Sequence, residues 1–468
     1  MTERPARQRD RPAVFTIPSG MPFVDALAAG LMAEAGEDPL ALARMTVLLP
    51  TRRGCRALQE AFLRRAEGRP LLLPRMRPLG DLDPDELMGG GEEVAEAGAA
   101  AELPPAIPAL RRQLRLAREI LEAGPAADGT APSADQAARR AAELARLLDQ
   151  LQTERLSLDR LDRLVPEDYA AHWQRTVDFL ALLRERWPAL LAEEDCLDPA
   201  ERRNSLLTAQ AEAWRRAPPA DPVIVAGSTG SIPATAELIA AVAWLPTGRV
   251  VLPGLDRGAD EDQWRAVLDD PVPPQHGLAV LLRRLDLDRA AVADWPDTGI
   301  EATPASRARI VAEGLRPAPT TESWREIRDR IDPERWRLAL RGVRRIDCPG
   351  PQEEAGVIAL TLRQALELPG RRAALVTPDR DLARRVAGEL RRWDIEIDDS
   401  AGRPLGDTPP GAFLRLVAEM VAERAAPVPL LAALKHPLAA CGREPGAFRA
   451  LVRRLERAVL RGPRPAAG

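Results

Sequence analysis

Ser19 and Gly20, in the stretch VFTIPSGMPFVDALAAGL from Val14 to Leu31, stand where a strand-to-helix loop can grip phosphate. Four β-prone residues lead into Pro-Ser-Gly, and behind Pro22 the residues Val24, Leu27, Ala28 and Leu31 recur at helical spacing. Nucleotide chemistry at such a loop needs several glycines for close backbone approach and a lysine reaching the β and γ phosphates. Both are missing. Of the 66 basic residues only Lys435 is a lysine, in ALKHPLA with no glycine loop. Arginine does not replace it, because a planar guanidinium does not fit where a compact ammonium sits between two phosphates. The Ser19–Gly20 position therefore reads as a degenerate phosphate loop, with no cofactor-binding residue.

A second chemical requirement also fails. A nucleotide hydrolase needs carboxylates at a strand end to hold Mg²⁺ and orient water, and VIVAGSTG, Val223 to Gly230, offers none. Glu396, Asp398 and Asp399 in DIEIDDS are the acids a metal-dependent nuclease would use, but no lysine follows them, and a solvated strand end accounts for them. Cys55, Cys196, Cys348 and Cys441 are widely separated, and the histidines are only His172, His276 and His436, so neither disulfides nor a metal centre is expected. No catalytic residue is assigned.

What remains is charge that can hold a polyanion. In PTRRGCRALQEAFLRR, residues Thr51, Arg52, Arg53 and Arg56 cluster after a strand and at a helix start, where backbone N–H groups also favour phosphate. In VTPDRDLARR, Thr377 and Arg380 repeat the pattern more weakly, because Asp379 and Asp381 offset the field. Arginine is also scattered along the whole chain, so ordinary surface solvation competes with this reading. Trp173, Trp187, Trp214 and Trp393 lie among leucines and alanines at helical steps and read as core rather than as base-stacking platforms.

The elements that must position these residues follow from pattern. The chain has 468 residues, 45% hydrophobic and 29% charged, with a net charge of −4, which describes folded α/β material and excludes a uniformly basic nucleic-acid coat. No run approaches 18 uncharged apolar residues, and MTERPARQRD has no apolar region behind it, so no membrane span or secretory signal is expected and the cytoplasm is the default compartment. Residues 1–340 read as one α/β block, with strands at Val14–Ile17, Thr46–Leu49, Val223–Ala226 and Val250–Pro253. The first of these is expected to lie beside the second and third. A helical insertion occupies about 103–215, preceded by the acidic Gly/Ala-rich loop from Asp81 to Glu102, and a long connection occupies about 256–320. Residues 341–468 begin a second block, with strands expected at Ala373–Thr377 and Ile395–Asp398.

The order of these runs carries a resemblance. VFTIPSGMPF, MTVLLPTRRGCRAL, LPRMRPLGDLD, VIVAGSTGSIPATAELI, VVLPGLD, CPGPQEEAGVIAL, ALVTPDRDLARRVAGEL and DDSAGRPLGDTPPGAFL together resemble the AddB subunits of AddAB helicase–nucleases, in their alphaproteobacterial form, over nearly the whole chain. The resemblance implies two superfamily 1 helicase-like (RecA-like) parallel-sheet domains, a degenerate P-loop and a role in recombinational double-strand break repair. It also implies an AddA-like helicase–nuclease partner that supplies the motor, and single-stranded and duplex DNA ends as ligands. In that family the iron–sulfur cluster and Mg²⁺ belong to a C-terminal nuclease domain that would lie beyond Gly468, so the chain is expected to match the N-terminal half. Two other readings stay open on the residues alone: an ATP-dependent helicase with a divergent nucleotide site, and a scaffold for the motor with no DNA contact.

Overall fold

A computed structural model describes residues 10–38, 40–79, 103–123, 132–157, 184, 186–296, 299, 305–326 and 332–462. The acidic loop at 81–102, and Trp173 and His172, lie outside the described residues. The chain divides into two compact units, Met1–Val343 and Arg344–Gly468.

The first unit is built on a six-stranded, all-parallel sheet. Its strands are β1 (Val14–Ile17), β2 (Thr46–Leu49), β3 (Arg75–Pro78), β4 (Val223–Ala226), β5 (Gly248–Pro253) and β6 (Ala293–Asp294), in the order β3-β2-β4-β5-β1-β6. Continuous apolar runs suit strands covered on both faces, and all four residues of β4 are buried. The two-residue period divides each run between two cores. Val47 and Leu49 of β2 join Ile17, Ile224 and Val251 in one core, with α1 (Phe23–Ala35) and α2 (Arg52–Ala66). Leu48 joins Val225, Val250 and Leu252 in the other.

Strand order departs from the sequence expectation. β1 pairs with β5 through Val14↔Val250 and with β6 through Phe15↔Ala293, whereas β2 pairs with β3 and β4. Two strands therefore separate β1 from β2, a non-local outcome that no local periodicity encodes. The expected long connection is structured as well, and contributes β6 and three α-helices, at Glu261–Asp269, His276–Arg284 and Ala305–Gly314.

Trp295, directly after β6, anchors that connection. Its backbone N–H donates to Thr16 O (2.8 Å), its Nε1 donates to Ala26 O (3.2 Å), and its ring meets Phe15 edge-on at 5.5 Å. Gly30 in α1 makes room for it, since a Cβ there would lie 2.1 Å from Trp295 Nε1. Gly30→Ala should cost about 1–3 kcal/mol of stability in urea unfolding, as overpacking of a tight core does. An unchanged midpoint would mean that the indole is not held.

In the helical insertion, α3 (Ala109–Glu122) and α4 (Ala134–Thr153) share a separate core with the helix at 186–193, through Leu116, Ile120, Ala141, Leu148, Trp187 and Leu191. The expected boundary needs correction at its end. In α5 (Pro199–Arg216), Leu207, Ala211 and Trp214 pack into the sheet's core beside α6 (Pro233–Trp244). With α7 (Glu261–Asp269) and α8 (His276–Arg284), these helices follow β3, β4 and β5.

The second unit is helical among its described residues: α9 (Pro351–Leu366), α10 (Arg380–Arg391), α11 (Pro409–Ala422), α12 (Pro427–Lys435) and α13 (Pro445–Leu455). The strands expected at Ala373–Thr377 and Ile395–Asp398 are not assigned there. Leu375 and Ile395 pack against Ala355, Ala359, Val386 and Leu390 of α9 and α10, but Val376 between them is 93% exposed. These segments cover their helices on one face without joining the hydrogen-bonded ladder that defines a strand.

Candidate nucleic-acid interface

In a doubly wound sheet, ligands sit beyond the C-terminal strand ends where neighbouring connections leave toward opposite faces. β1 and β2 are followed by α1 and α2 in one core, while β4 is followed by α6 in the other. β5 leads on to α8, which also joins that second core. Two crevices result, one between β1 and β5 and one between β2 and β4.

The first crevice contains the Ser19–Gly20 loop and is stitched together. Ser19 Oγ donates to the Gly254 carbonyl oxygen (3.4 Å), which also accepts from Gln275 Nε2 (3.0 Å), and Gly254 N donates to Ile17 O (2.9 Å). Thr16 Oγ1 accepts from Leu255 N at 3.1 Å. Gly254 has φ +59°, and a Cβ there would come within 2.5 Å of Ser19 Oγ. The Met21 N–H, which would face a phosphate in a cradling loop, donates to Pro18 O (3.3 Å). The fit to a phosphate is poor: the Ser19 hydroxyl and the Met21 N–H are turned onto carbonyl oxygens, and the loop has neither the glycines nor a lysine that a phosphate cradle uses.

The second crevice presents charge. Thr51 caps α2, its Oγ1 accepting from Gly54 N at 3.0 Å, and this cap fixes the helix start directly after β2. Arg52, Arg53 and Arg56 follow in the first turns, all exposed, with no acidic residue in the first turn. That placement opposes the helix dipole, whose positive end favours acids. Some helices carry acids there, α1 with Asp25, α4 with Asp135, α7 with Glu261 and Asp262 and α9 with Glu353 and Glu354, while α3 opens like α2 without an acid and with Arg111 and Arg112. At its other end, α2 is tied to α1 by Arg64 Nη2 on Asp25 Oδ1 (2.6 Å). Gly227, directly after β4, leaves room for Phe23 and Pro50: a Cβ there would lie 3.2 Å from the Phe23 ring and 3.7 Å from Pro50 Cδ.

Thr377 and Arg380 belong to the second unit and are engaged locally. Thr377 Oγ1 accepts from Asp379 N (3.0 Å), and Asp379 caps α10 by accepting from Asp381 N (2.8 Å). Arg380 is held bidentately by Asp399, Nη1 to Oδ1 at 3.0 Å and Nη2 to Oδ2 at 2.5 Å. Donating to the Asp399 carboxylate raises the guanidinium pKa above its ordinary value. The partner of Arg380 is thus Asp399, nineteen residues on, rather than the neighbouring Asp379 or Asp381.

Asp399 is committed to Arg380, and among the described residues no three His, Cys, Asp or Glu side chains gather where a metal could be held. Lys435 Nζ lies 2.6 Å from Glu456 Oε2, and this contact, with Arg461, holds the Glu456 carboxyl below its usual range. Trp187 and Trp214 are packed in cores, and Trp393 lies under the Arg363 guanidinium at 4.9 Å. His276 Nδ1 is 2.8 Å from Val267 O, and His436 stacks on Phe413. No helix among the described residues is long and apolar enough to cross a membrane. No protein-family model matches the chain, and no curated protein matches it either.

Proposed function

We propose that this chain is a degenerate helicase-like module of the AddB type, which holds single-stranded DNA beside a separate motor subunit and does not hydrolyse ATP itself. Arginines at the positive end of α2 carry the reading: three of them stand within its first five residues, where helix stability alone favours acids. A phosphate backbone lying against this helix start would bring negative charge to the end of α2 where the dipole favours it. The all-parallel sheet with its crevice beyond β2 and β4 supports a RecA-like first domain. Residues 344–468 would begin a second such domain. In this reading the AddA-like partner provides ATP turnover during double-strand break repair, and Mg²⁺ and iron–sulfur chemistry belong to the family's nuclease portion rather than to these residues.

The absence of ATP turnover is directly testable. Ser19 is turned onto Gly254, the only lysine is paired with Glu456, and the loop after β4 carries no carboxylate. The purified chain should therefore show no DNA-stimulated ATPase activity above a protein-free blank. Turnover that disappears in a Ser19→Ala, Gly20→Ala double variant would restore a working phosphate loop and overturn this reading.

A further inference from the structure

In the second unit a groove of about 470 Å³ lies between the end of α12 and the second half of α13, where the helix runs into one turn of π-helix at Glu456–Leu460. Arg449, Arg453, Arg457 and Arg461 line it at four-residue steps, with Lys435 from the last position of α12. In an α-helix each such step turns about 40° past a full circle, so a row of this spacing would drift round the helix. The π-turn winds less per residue and counters that drift, with Arg461 N donating to Glu456 O five residues back (2.9 Å). Glu456 is the one acid in the lining, and its carboxylate is taken by Lys435 Nζ (2.6 Å) and Arg461 Nη2 (3.1 Å). Glu444 caps the start of α13, accepting from Ala447 N at 2.8 Å. Arg449, Arg453 and Arg457 are thus exposed and in no ion pair among the described residues. Surface arginines of other helices have an acid three or four residues away: Arg139 pairs with Asp135, Arg146 with Glu143 and Arg392 with Glu389.

Five cations set against one carboxylate suit a ligand that repeats its negative charge. The arginines recur about every 5–6 Å along the axis, and the row is roughly 16 Å long, more than one phosphate ion spans. We propose that this groove is a phosphate-backbone site, in which Arg449, Arg453 and Arg457 hold a strand of DNA. The proposal rests on the reading that the chain holds single-stranded DNA, and adds to it a second contact surface besides the start of α2. Guanidinium forks match the paired oxygens of a phosphate, and the strand offsets the repulsion between like charges one helical turn apart. Leu434 and Val452 supply the apolar floor, and among the described residues no aromatic side chain lines the groove. Bases therefore find no stacking platform there, and the contacts fall on sugar and phosphate.

Fluorescence anisotropy of the full chain with a labelled single-stranded oligonucleotide of mixed sequence, over a series of NaCl concentrations, tests this. Arg453→Ala with Arg457→Ala should weaken binding about tenfold at low salt and lower the salt dependence of log affinity by about 1.4, or about 0.7 for each lost phosphate contact. Both side chains are exposed, and circular dichroism checks that the variant is folded. Glu456→Gln, which removes the one carboxylate from the lining, should tighten binding about threefold, a gain that losing a merely structural contact would not produce. Unchanged affinity and slope in the Arg453, Arg457 double variant, with a loss in Arg52→Ala, Arg53→Ala, would overturn the groove and leave the DNA-holding reading standing. No binding by the parent chain would overturn both. Poly-L-glutamate displacing the oligonucleotide as well as an unlabelled strand of equal charge does would overturn the phosphate backbone in favour of an acidic polypeptide.

Discussion

Asp198→Ala should destabilise the first unit by about 3–5 kcal/mol, the cost of removing one partner from a buried ion pair. Asp198 is fully buried at the junction of three helices. Its Oδ2 accepts from Trp187 Nε1 (2.9 Å) in the 186–193 helix and from Gln152 Nε2 (2.6 Å) in α4. Its Oδ1 lies 2.8 Å from Arg112 Nε in α3, a charge contact whose N–H does not point squarely at the oxygen. Arg112 is itself 4% exposed and reaches a second acid, Asp149, through Nη1 at 2.8 Å. Truncation at Asp198 therefore leaves the buried Arg112 with Asp149 alone and strands an indole N–H and an amide N–H. Asp198→Asn keeps the shape and an acceptor, and should cost less than alanine. Urea unfolding followed by far-ultraviolet circular dichroism measures both. The loss should persist at high salt, because a buried pair is screened far less than a surface one. A change below about 1 kcal/mol for alanine, the range of exposed pairs, would show that the site is open to water.

That network marks a limit of what the sequence reveals. Arg112 and Asp198 sit in stretches of arginine and acid that read as solvated helix faces, and only folding brings residues 86 positions apart into one buried contact. The continuous apolar runs of β1, β2, β4 and β5 were legible because each is buried on both faces. β3 was not, because RMRP offers only Met76 to a core and exists as a strand through its ladder with β2, from Thr46↔Arg75 to Leu49↔Pro78. β6 has two residues and no pattern at all. The Thr51–Arg56 cluster could be found because cap, strand end and charge are local, whereas the fate of Arg380 depended on Asp399 across a loop. In the second unit Ala373–Thr377 has a strand's composition without a strand's neighbours, and composition alone cannot supply those.

Arg52→Ala with Arg53→Ala should weaken single-stranded DNA binding about tenfold at low salt and lower the salt dependence of log affinity by about 0.7 per lost phosphate contact, about 1.4 if each arginine holds one phosphate. The two residues stand at the start of α2 beyond the end of β2, so their contacts should fall on the sugar-phosphate backbone and depend little on base identity. Fluorescence anisotropy with oligonucleotides of mixed sequence, over a series of NaCl concentrations, reads affinity and slope together. Arg380→Ala is a comparison in the second unit: Asp399 holds its guanidinium bidentately, and its loss should leave the slope unchanged. Stability provides a second readout that ordinary surface charge would not couple to binding. Positive charge at a helix N-terminus opposes the dipole by about 0.3–1 kcal/mol per residue at low ionic strength, so the double variant should be no less stable than the parent even as it binds DNA worse. Unchanged affinity and slope in a folded double variant would leave Arg52 and Arg53 as solvated surface charge. Weakened binding to one sequence only would mean that the loop reads bases, which an exposed pair of arginines at a capped helix start gives no geometric reason to expect.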